Sequence, residues 1–180
     1  MRNLYFISDT HFNHSEILSF IGKKGNLMRG HLFTNVTEMN ECMFDNWQQT
    51  ISPNDTVYHL GDVVVGECDK FCKTFRSLNG NKILIAGNRD NLYYIMKENL
   101  FSDIRLCKGW EQEYGILASH IPIEVSVLDS WKSKERLINI HGHLHTEESP
   151  SKWHRNVSVE CIDYKPINVE NLLTLGHFKC

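Results

Sequence analysis

The chain has 180 residues, about the size of one domain, of which 41% are hydrophobic and 23% charged. This composition is typical of a soluble globular protein and excludes disordered, collagen-like and coiled-coil chains. Nineteen basic and 22 acidic residues give a formal net charge of −3, which disfavours a protein that binds nucleic acid or anionic membranes through bulk charge.

Short apolar runs alternate with helical patterns along the chain. In chain order, the predicted elements are a strand over Asn3–Ser8, a loop over Gly22–Asn35, a helix from Val36 to Ile51, a strand over Thr56–Leu60, a helix through Phe71, Phe75 and Leu78, a strand over Lys82–Ala86, a short helix over Asn91–Asn99, and strands over Tyr114–Ser119, Arg136–Ile140 and Asn156–Cys161. This alternation predicts an α/β layered fold. Because no repeat or linker interrupts it, we expect one domain over residues 1–180.

The cysteines and the apolar runs indicate a cellular compartment. Six cysteines form no CxxC pair, and a domain of this size builds a core without disulfides, so reduced thiols are expected. No apolar run approaches the roughly 20 residues that span a bilayer, and Leu4–Ile7 is too short for the apolar region of a signal peptide. We therefore expect a cytoplasmic protein without a membrane partner.

Potential metal ligands directly follow five of the predicted strands. They are Asp9 and His11, then Asp62, then Asn88 and Asp90, then His120, and finally His141, His143 and His145. Each motif alone is weak, since Gly-Asp and Gly-Asn are common in turns. Three imidazoles within five residues, however, make little sense as packing. Because ligands bind beyond the carboxyl ends of strands in open α/β sheets, we expect these side chains to meet at one edge.

The ligand chemistry indicates a pair of metal ions. Imidazole, carboxylate and amide groups without thiolates suit Mn²⁺, Fe, Zn²⁺ or Ni²⁺ better than a structural zinc or a calcium site. Seven ligands are too many for one tetrahedral ion but fit two ions, about 3.5–4 Å apart, that share a carboxylate. Such a pair lowers the pKa of a bridging water and binds phosphoryl oxygens, so an anionic substrate is expected.

The order Asp-x-His, Gly-Asp, Gly-Asn-x-Asp, His, Gly-His-x-His resembles that of the calcineurin-like metallophosphoesterases. The segments Ser8–His14 and Val57–Asp62 look like those of the small bacterial and phage members, as does the tail Val157–Pro166. The resemblance covers about residues 1–170. It implies a four-layer αββα sandwich with the metals at the carboxyl ends of the strands.

The resemblance also implies a ligand set. Asp9, His11 and His145 would bind the first ion, Asn88, His120 and His143 the second, and Asp62 would bridge both. Two Mn²⁺ ions are expected, with Fe, Zn²⁺ or Ni²⁺ as alternatives. His141 lies outside the pattern and is assigned to the core or to the surroundings of the site, although a change of register would make it a ligand.

The chain departs from the family motif at Arg89. In the family, a histidine followed by an acid protonates the leaving oxygen or stabilises the transition state. Arginine stays protonated and is a poor general acid, but it supplies fixed charge to phosphoryl oxygens. Either Arg89 and Asp90 are catalytic in this way, or Arg89 merely pairs with Asp90 and activity on poor leaving groups is weakened.

Two further residues are candidates for contacts with the substrate. His14 lies three residues after His11 and could replace the missing acid, or it could be a helix N-terminal histidine without a role. The Gly22–Asn35 segment is typical of a mobile loop. If it reaches over the site, Arg29 is a candidate phosphate contact because a guanidinium matches phosphate oxygens.

Two functions remain open at this point. The first is a phosphoesterase that uses a metal-bridging hydroxide. A phosphodiesterase is favoured over a phosphomonoesterase because the chain has no cap domain and the substituted acid position suits less basic leaving groups. Its substrates would be small phosphodiesters or nucleotides rather than long duplexes. The alternative is a catalytically weakened, metal-binding interaction module of the same fold, because Arg89 replaces the motif histidine.

Overall fold

The computed structural model describes residues 3–23, 25–130 and 137–174, which form two β-sheets with helices around them. The strands are β1 Leu4–Ile7, β2 Thr56–His59, β3 Asn81–Ile85, β4 Asp103–Arg105, β5 Cys107–Trp110, β6 Ile116–Ser119, β7 Ile138–His141, β8 His154–Asn156 and β9 Ile167–Asn168. The first sheet has the order β4-β3-β2-β1-β9 and the second β5-β6-β7-β8. All neighbours are parallel except for β9 and β5, which are antiparallel strands at sheet edges.

The first four helices connect parallel strands, and the fifth follows the last strand. They are α1 Val36–Thr50, α2 Asp69–Ser77, α3 Leu92–Lys97, α4 Val125–Ser130 and α5 Val169–Thr174, with 3₁₀ helices at Ser15–Ser19 and Val159–Cys161. The longest, α1, begins at Asn35, whose side chain accepts a hydrogen bond from the backbone N–H of Glu38 at 3.0 Å. Among the described residues, no helix has the length and apolar character needed to cross a membrane.

The sheets and helices stack as four layers. The two sheets meet at Trp110 of β5, whose ring centroid lies 4.7 Å from that of Tyr58 and 5.6 Å from that of Phe6. The buried sides of α1 and α2 join this same core from the other face of the first sheet. On the outer face of the second sheet, Leu117 packs against Leu128 of α4 in a separate cluster. The predicted four-layer αββα fold is confirmed.

The prediction of a strand over Asn156–Cys161 is wrong. Strand β8 ends at Asn156, and the following residues leave the sheet for a 3₁₀ helix. The backbone N–H of Val157 donates to the His141 carbonyl, and that of Val159 donates to the Ser8 carbonyl at 3.1 Å. These residues are apolar because they are buried where the two sheets come together, and not because they extend a strand.

Two other expectations also need correction. The Gly22–Asn35 segment is anchored rather than mobile, since Arg29 is fully buried and Phe33 is 8% exposed. The thiols of Cys42, Cys68, Cys72 and Cys107 are free, as expected. The expectation of reduced thiols is wrong for Cys161, however, because this residue is disulfide-bonded. Of the strand predicted over Arg136–Ile140, residue 136 lies outside the described residues.

Candidate metal centre

The segments that follow five parallel strands meet at one edge of the fold. They bring together the seven side chains Asp9, His11, Asp62, Asn88, His120, His143 and His145. Beyond β1 and β2, the backbone N–H of Asp9 donates to the Gly61 carbonyl at 3.0 Å, so the ladder continues into the site. The N–H of His143 donates to Oδ2 of Asp9 at 2.8 Å and thereby joins the second sheet to the first.

The backbone at this edge is strained. Five of the seven side chains belong to residues with left-handed φ angles, namely Asp9 at 57°, His11 at 46°, Asp62 at 57°, His143 at 68° and His145 at 49°. Residues other than glycine in this region cost of order 1–3 kcal/mol each and are found mainly at functional sites. The surrounding hydrogen bonds therefore hold these side chains in orientations that the free chain would avoid.

The first group of ligand atoms comes from Asp9, His11 and His145, which lie within 4.8 Å of one another. Nε2 of His145 is 3.9 Å from Oδ1 of Asp9. Among the described residues, neither Oδ1 of Asp9 nor Nε2 of His11 has a hydrogen-bond partner, although both atoms are buried. Buried polar atoms are normally paired, so these convergent atoms fit the ligands of a cation.

The second group converges around Asn88. Its Oδ1 lies 2.8 Å from Nε2 of His120 and 3.1 Å from Nδ1 of His143. Nδ1 of His120 lies 2.6 Å from the Leu60 carbonyl and donates its proton there. In the neutral ring, Nε2 is then an acceptor that faces another acceptor. A cation between the two atoms relieves this repulsion, and a ring nitrogen tied to a carbonyl is the usual arrangement in metal-binding histidines.

Asp62 stands between the two groups. Its Oδ2 is 3.6 Å from Nε2 of His11, and its Oδ1 is 3.7 Å from Nε2 of His120. One oxygen therefore faces a histidine of each group, as required of a bridging carboxylate. Burial raises the pKa of Asp62, and the backbone N–H of Arg89 donates to its Oδ1 at 2.9 Å.

Asp90 holds the Asp62 loop in place. Its carboxylate accepts backbone N–H groups of Gly87 at 2.7 Å, Val63 at 2.9 Å and Asp62 at 3.1 Å. Asp90 forms no ion pair with Arg89, both being described residues. The contacts show that Asp90 positions the Asp62 loop, and the catalytic role expected from the sequence stays a prediction. A Cβ at Gly87 would collide with Oδ1 of Asp62, which explains the glycine at this close approach.

Arg29 and Glu160 form a buried support behind the first group. The Arg29 side chain is 0% exposed and donates from Nε to Oε1 of Glu160 at 2.7 Å and from Nη1 to the Thr10 carbonyl at 2.8 Å. Oε1 of Glu160 also accepts from Nδ1 of His145 at 3.0 Å. Arg29 therefore cannot contact a substrate phosphate in this arrangement, contrary to the sequence-based expectation. It acts through Glu160 and the backbone instead.

The electrostatics of this support favour a charged Glu160. Burial alone would raise its pKa, but the Arg29 charge and the hydrogen bond with His145 lower the pKa to about 2. Burial alone would likewise lower the pKa of His145, but Glu160 raises it. Sequence reasoning missed Glu160 because it lies inside an apolar run, 131 residues from its partner Arg29.

His14 and Arg89 stand beside the ligand groups. The His14 ring centroid is 5.4 Å from that of His11, and burial together with the Arg89 charge lowers the pKa of His14. Its Nδ1 is buried without a partner among the described residues. Arg89 is exposed, and no described residue pairs with its guanidinium. The structure thus places both predicted residues near the ligands. Nε2 of His14 lies 3.8 Å from Oε2 of Glu16, so of the His14 ring nitrogens only Nδ1 lacks a partner among the described residues.

Two other histidines have structural partners. The backbone N–H of Gly61 donates to Nδ1 of His59, so its Nε2 carries the proton and donates to Thr10 Oγ1 at 2.9 Å. Burial lowers the pKa of His59 to about 3. His141 contacts the Gly142 carbonyl and Ser149 Oγ at 2.8 and 2.9 Å. Neither residue belongs to the two ligand groups.

Comparisons with known proteins extend over nearly the whole chain. A family model for calcineurin-like phosphoesterases matches residues 2–178. The uncharacterized protein MJ1445 of Methanocaldococcus jannaschii is 30% identical over 189 aligned residues, which cover 97% of this chain and 92% of the relative. The crystal structure of AQ665, a protein of unknown function from Aquifex aeolicus, matches with a TM-score of 0.73 at 27% identity, covering 97% of this chain and 99% of that one.

Proposed function

The chain belongs to the calcineurin-like phosphoesterase family, and we propose that this metal-dependent phosphoesterase is a phosphodiesterase that uses two divalent ions, with Mn²⁺ as the expected pair. The observation that carries the proposal is the position of Asp62. Its two oxygens face His11 and His120, one from each group of ligand atoms. A single ion would not need a carboxylate shared in this way.

The ligand residues and their neighbours have different roles in the proposed reaction. Two divalent ions bound there would lower the pKa of a bound water and neutralise charge on a phosphoryl group. Asp62 would orient the two ions, and Asp90 would keep Asp62 in place through the backbone. The exposed Arg89 would donate to phosphoryl oxygens and hold fixed positive charge against the transition state.

The absence of the motif histidine favours diesters with acidic leaving groups. Arg89 stays protonated and transfers no proton near neutral pH. His14 has a lowered pKa, so at pH 7 it is a neutral ring that can donate a hydrogen bond but is a weak source of protons. An alcohol of low pKa leaves without protonation, whereas a strongly basic alkoxide does not. We therefore favour phosphodiesters over phosphomonoesters of simple alcohols.

The proposed substrate is a small phosphodiester or nucleotide. A net charge of −3 argues against binding of a long nucleic-acid duplex, and the proposal includes no membrane partner. The proposed location is the cytoplasm, in keeping with the four free thiols. The disulfide of Cys161 is a feature that this compartment does not favour.

The test is hydrolysis of bis(p-nitrophenyl) phosphate and p-nitrophenyl phosphate by metal-stripped protein, with Mn²⁺, Fe²⁺, Zn²⁺ or Ni²⁺ added back. We expect turnover that depends on added metal and is faster for the diester, with Mn²⁺ most effective. A higher kcat/KM for the monoester would contradict the preference for diesters.

One observation favours a second candidate, the metal-binding interaction module. Arg89 stands where the family motif has a histidine, and without that proton donor the chain can bind metal and yet not turn over a substrate. Binding of two ions per chain without hydrolysis of either ester would support this candidate and contradict the proposed enzyme.

A further inference from the structure

A cleft of about 330 Å³ opens directly beside the ligand groups. His143 and His145 line it together with the apolar side chains of Ile21, Met28 and Leu144. Pockets for small organic ligands usually measure about 300–1,000 Å³ and are mostly apolar with a few polar groups. This cleft lies at the lower end of that range, so it suits one compact organic group.

A hairpin forms the wall of the cleft opposite the histidines. It consists of residues 20–23 and 25–28, with an antiparallel bridge between Ile21 and Leu27. The backbone N–H of Met28 donates to the Phe20 carbonyl at 2.7 Å. The hairpin leads directly into the buried Arg29, so its base is fixed to the same support that holds His145.

The apolar side chains of the hairpin are unusually exposed for their position. Ile21 is 67% exposed although it lies beside a group of metal-ligand atoms. Exposed apolar surface next to a polar centre often marks a ligand-binding groove. Aliphatic and thioether side chains pack well against planar aromatic rings, and the sulfur of methionine makes favourable contacts with them.

The charges around the cleft argue against a second anionic group. The positively charged Lys23 of the hairpin forms an ion pair with Glu147, which also lines the cleft. Among the described residues that line the cleft, Lys23 and Glu147 thus offset each other. A neutral aromatic group therefore fits this space better than a further phosphate.

We propose that the cleft binds the planar aromatic group, a nucleobase or an aryl ring, of the phosphodiester whose phosphate lies at the metal centre. This inference rests on the proposed phosphodiesterase function and adds to it the location of the organic group. Ile21, Met28 and Leu144 would pack against the ring, while the hairpin and the loop after β7 set the size that is accepted.

The first test compares two substrates with the same leaving group, p-nitrophenyl thymidine 5′-phosphate and methyl p-nitrophenyl phosphate. Only the retained group differs between them, so the ratio of their kcat/KM values reports on its binding site. We expect a ratio well above one that falls about tenfold in Ile21→Ala, since small losses of apolar contact in a pocket change kcat/KM by at least this much. The matched control is Leu32→Ala, which removes an exposed leucine that does not line the cleft and should leave the ratio unchanged.

The second test measures the binding of a nucleotide without any hydrolysis. Protein with ¹³C-methyl methionine, loaded with diamagnetic Zn²⁺, is titrated with thymidine 5′-phosphate or with methyl phosphate. We expect the nucleotide, but not methyl phosphate, to shift the methyl resonance of Met28, while those of the core residues Met39 and Met43 stay in place. The Met28 resonance is assigned through Met28→Leu.

The outcomes separate the two proposals. An absence of hydrolysis of either ester contradicts the phosphodiesterase, while the Met28 shift still decides whether the cleft binds the aromatic group. Hydrolysis of both esters with an unchanged ratio in Ile21→Ala, or a Met28 resonance that the nucleotide does not move, overturns the cleft proposal and leaves the phosphodiesterase standing.

Discussion

The Glu160→Gln substitution tests how the fold holds the first group of ligands. Oε1 of Glu160 accepts from Nδ1 of His145 at 3.0 Å and from Nε of Arg29 at 2.7 Å. Glutamine keeps the shape and one acceptor oxygen but removes the negative charge. The His145 ring then loses a charge-assisted hydrogen bond, and the Arg29 guanidinium stays buried without its counter-charge.

Two magnitudes follow from this change. Loss of a partner behind a metal-binding histidine weakens metal affinity about 10- to 100-fold, which corresponds to about 1.4–2.7 kcal/mol. Removing one member of a buried ion pair lowers the free energy of unfolding by about 3–5 kcal/mol. Because the glutamine oxygen can still accept from Arg29, we expect about 3 kcal/mol for the second effect.

The assay is calorimetric titration of metal-stripped protein with Mn²⁺, combined with urea unfolding of the same samples. We expect Glu160→Gln to weaken one of two binding steps about 10- to 100-fold, because His145 belongs to only one ligand group. The control is Glu148→Gln, which changes an exposed acid in the segment after His145 and should bind metal as the unmodified chain does. Unchanged affinity at both steps, or equal weakening of both in a fully folded variant, would refute the assigned support.

Three other predictions can be tested by metal titration, enzyme kinetics and urea unfolding. Asp62→Asn should lower both the number of bound metal ions and the turnover, because Asp62 faces a histidine of each group; two retained ions with full turnover would break the bridging assignment. Arg89→Ala should keep metal binding but lower kcat about 100-fold or more, as loss of a preorganised donor usually does. Arg89→His should raise activity on esters with basic leaving groups. Unchanged kinetics in both variants would show that Arg89 has a structural role only. Burial lowers the pKa of His59 from 6.5 to about 3, so only the unfolded chain takes up this proton between these values. As the pH decreases through that window, His59 should contribute about 1.4 kcal/mol per pH unit to the fall in the free energy of unfolding in EDTA. The buried His11 and His141, whose pKa values are also lowered, add contributions of their own. Urea unfolding of His59→Gln should lack the His59 contribution, and an identical pH slope in the variant would disprove it.

The central strands were predictable because of their burial. Strands β1, β2, β3 and β6 lie inside mostly parallel sheets covered on both sides, so they appear in the sequence as short, continuous apolar runs. The strands β4, β5 and β9 have two to four residues each and lie at or beside the edges of sheets. Their sequences, such as Asp103–Arg105, contain no apolar run, and only pairing with a neighbouring strand makes them extended.

The ligand groups could be anticipated for a related reason. When parallel strands share a sheet, residues that directly follow them meet at one edge whatever their separation along the chain. Asp9 and Asp62 follow the paired parallel strands β1 and β2 and come together in this way. Asp9 and His145 follow strands of different sheets, and they come within 3.9 Å because the two sheets pack with these edges together. The convergence within each sheet depends on strand order and direction, whereas the meeting of ligands from the two sheets depends on how the sheets pack.

The roles of individual charged residues could not be anticipated in the same way. Arg29 lies among glycines and lysines, a context typical of a surface loop, yet its guanidinium is fully buried against Glu160 and the backbone carbonyls of Asp9 and Thr10. Whether a charge is buried depends on which acceptors the folded chain brings to it. The residues around Arg29 in the sequence do not indicate these acceptors, which lie between 19 and 131 positions away.

The sequence by itself determined the layered α/β architecture, the edge at which the ligands gather and the chemical type of those ligands, because these depend on local apolar patterning and on strand ends. Only the tertiary structure decided that Arg29 and Glu160 support His145, that Asp90 holds the Asp62 loop, and that a cleft with three apolar side chains adjoins the histidines. These features arise from contacts between distant segments, and their geometry exists only once both sheets have packed together.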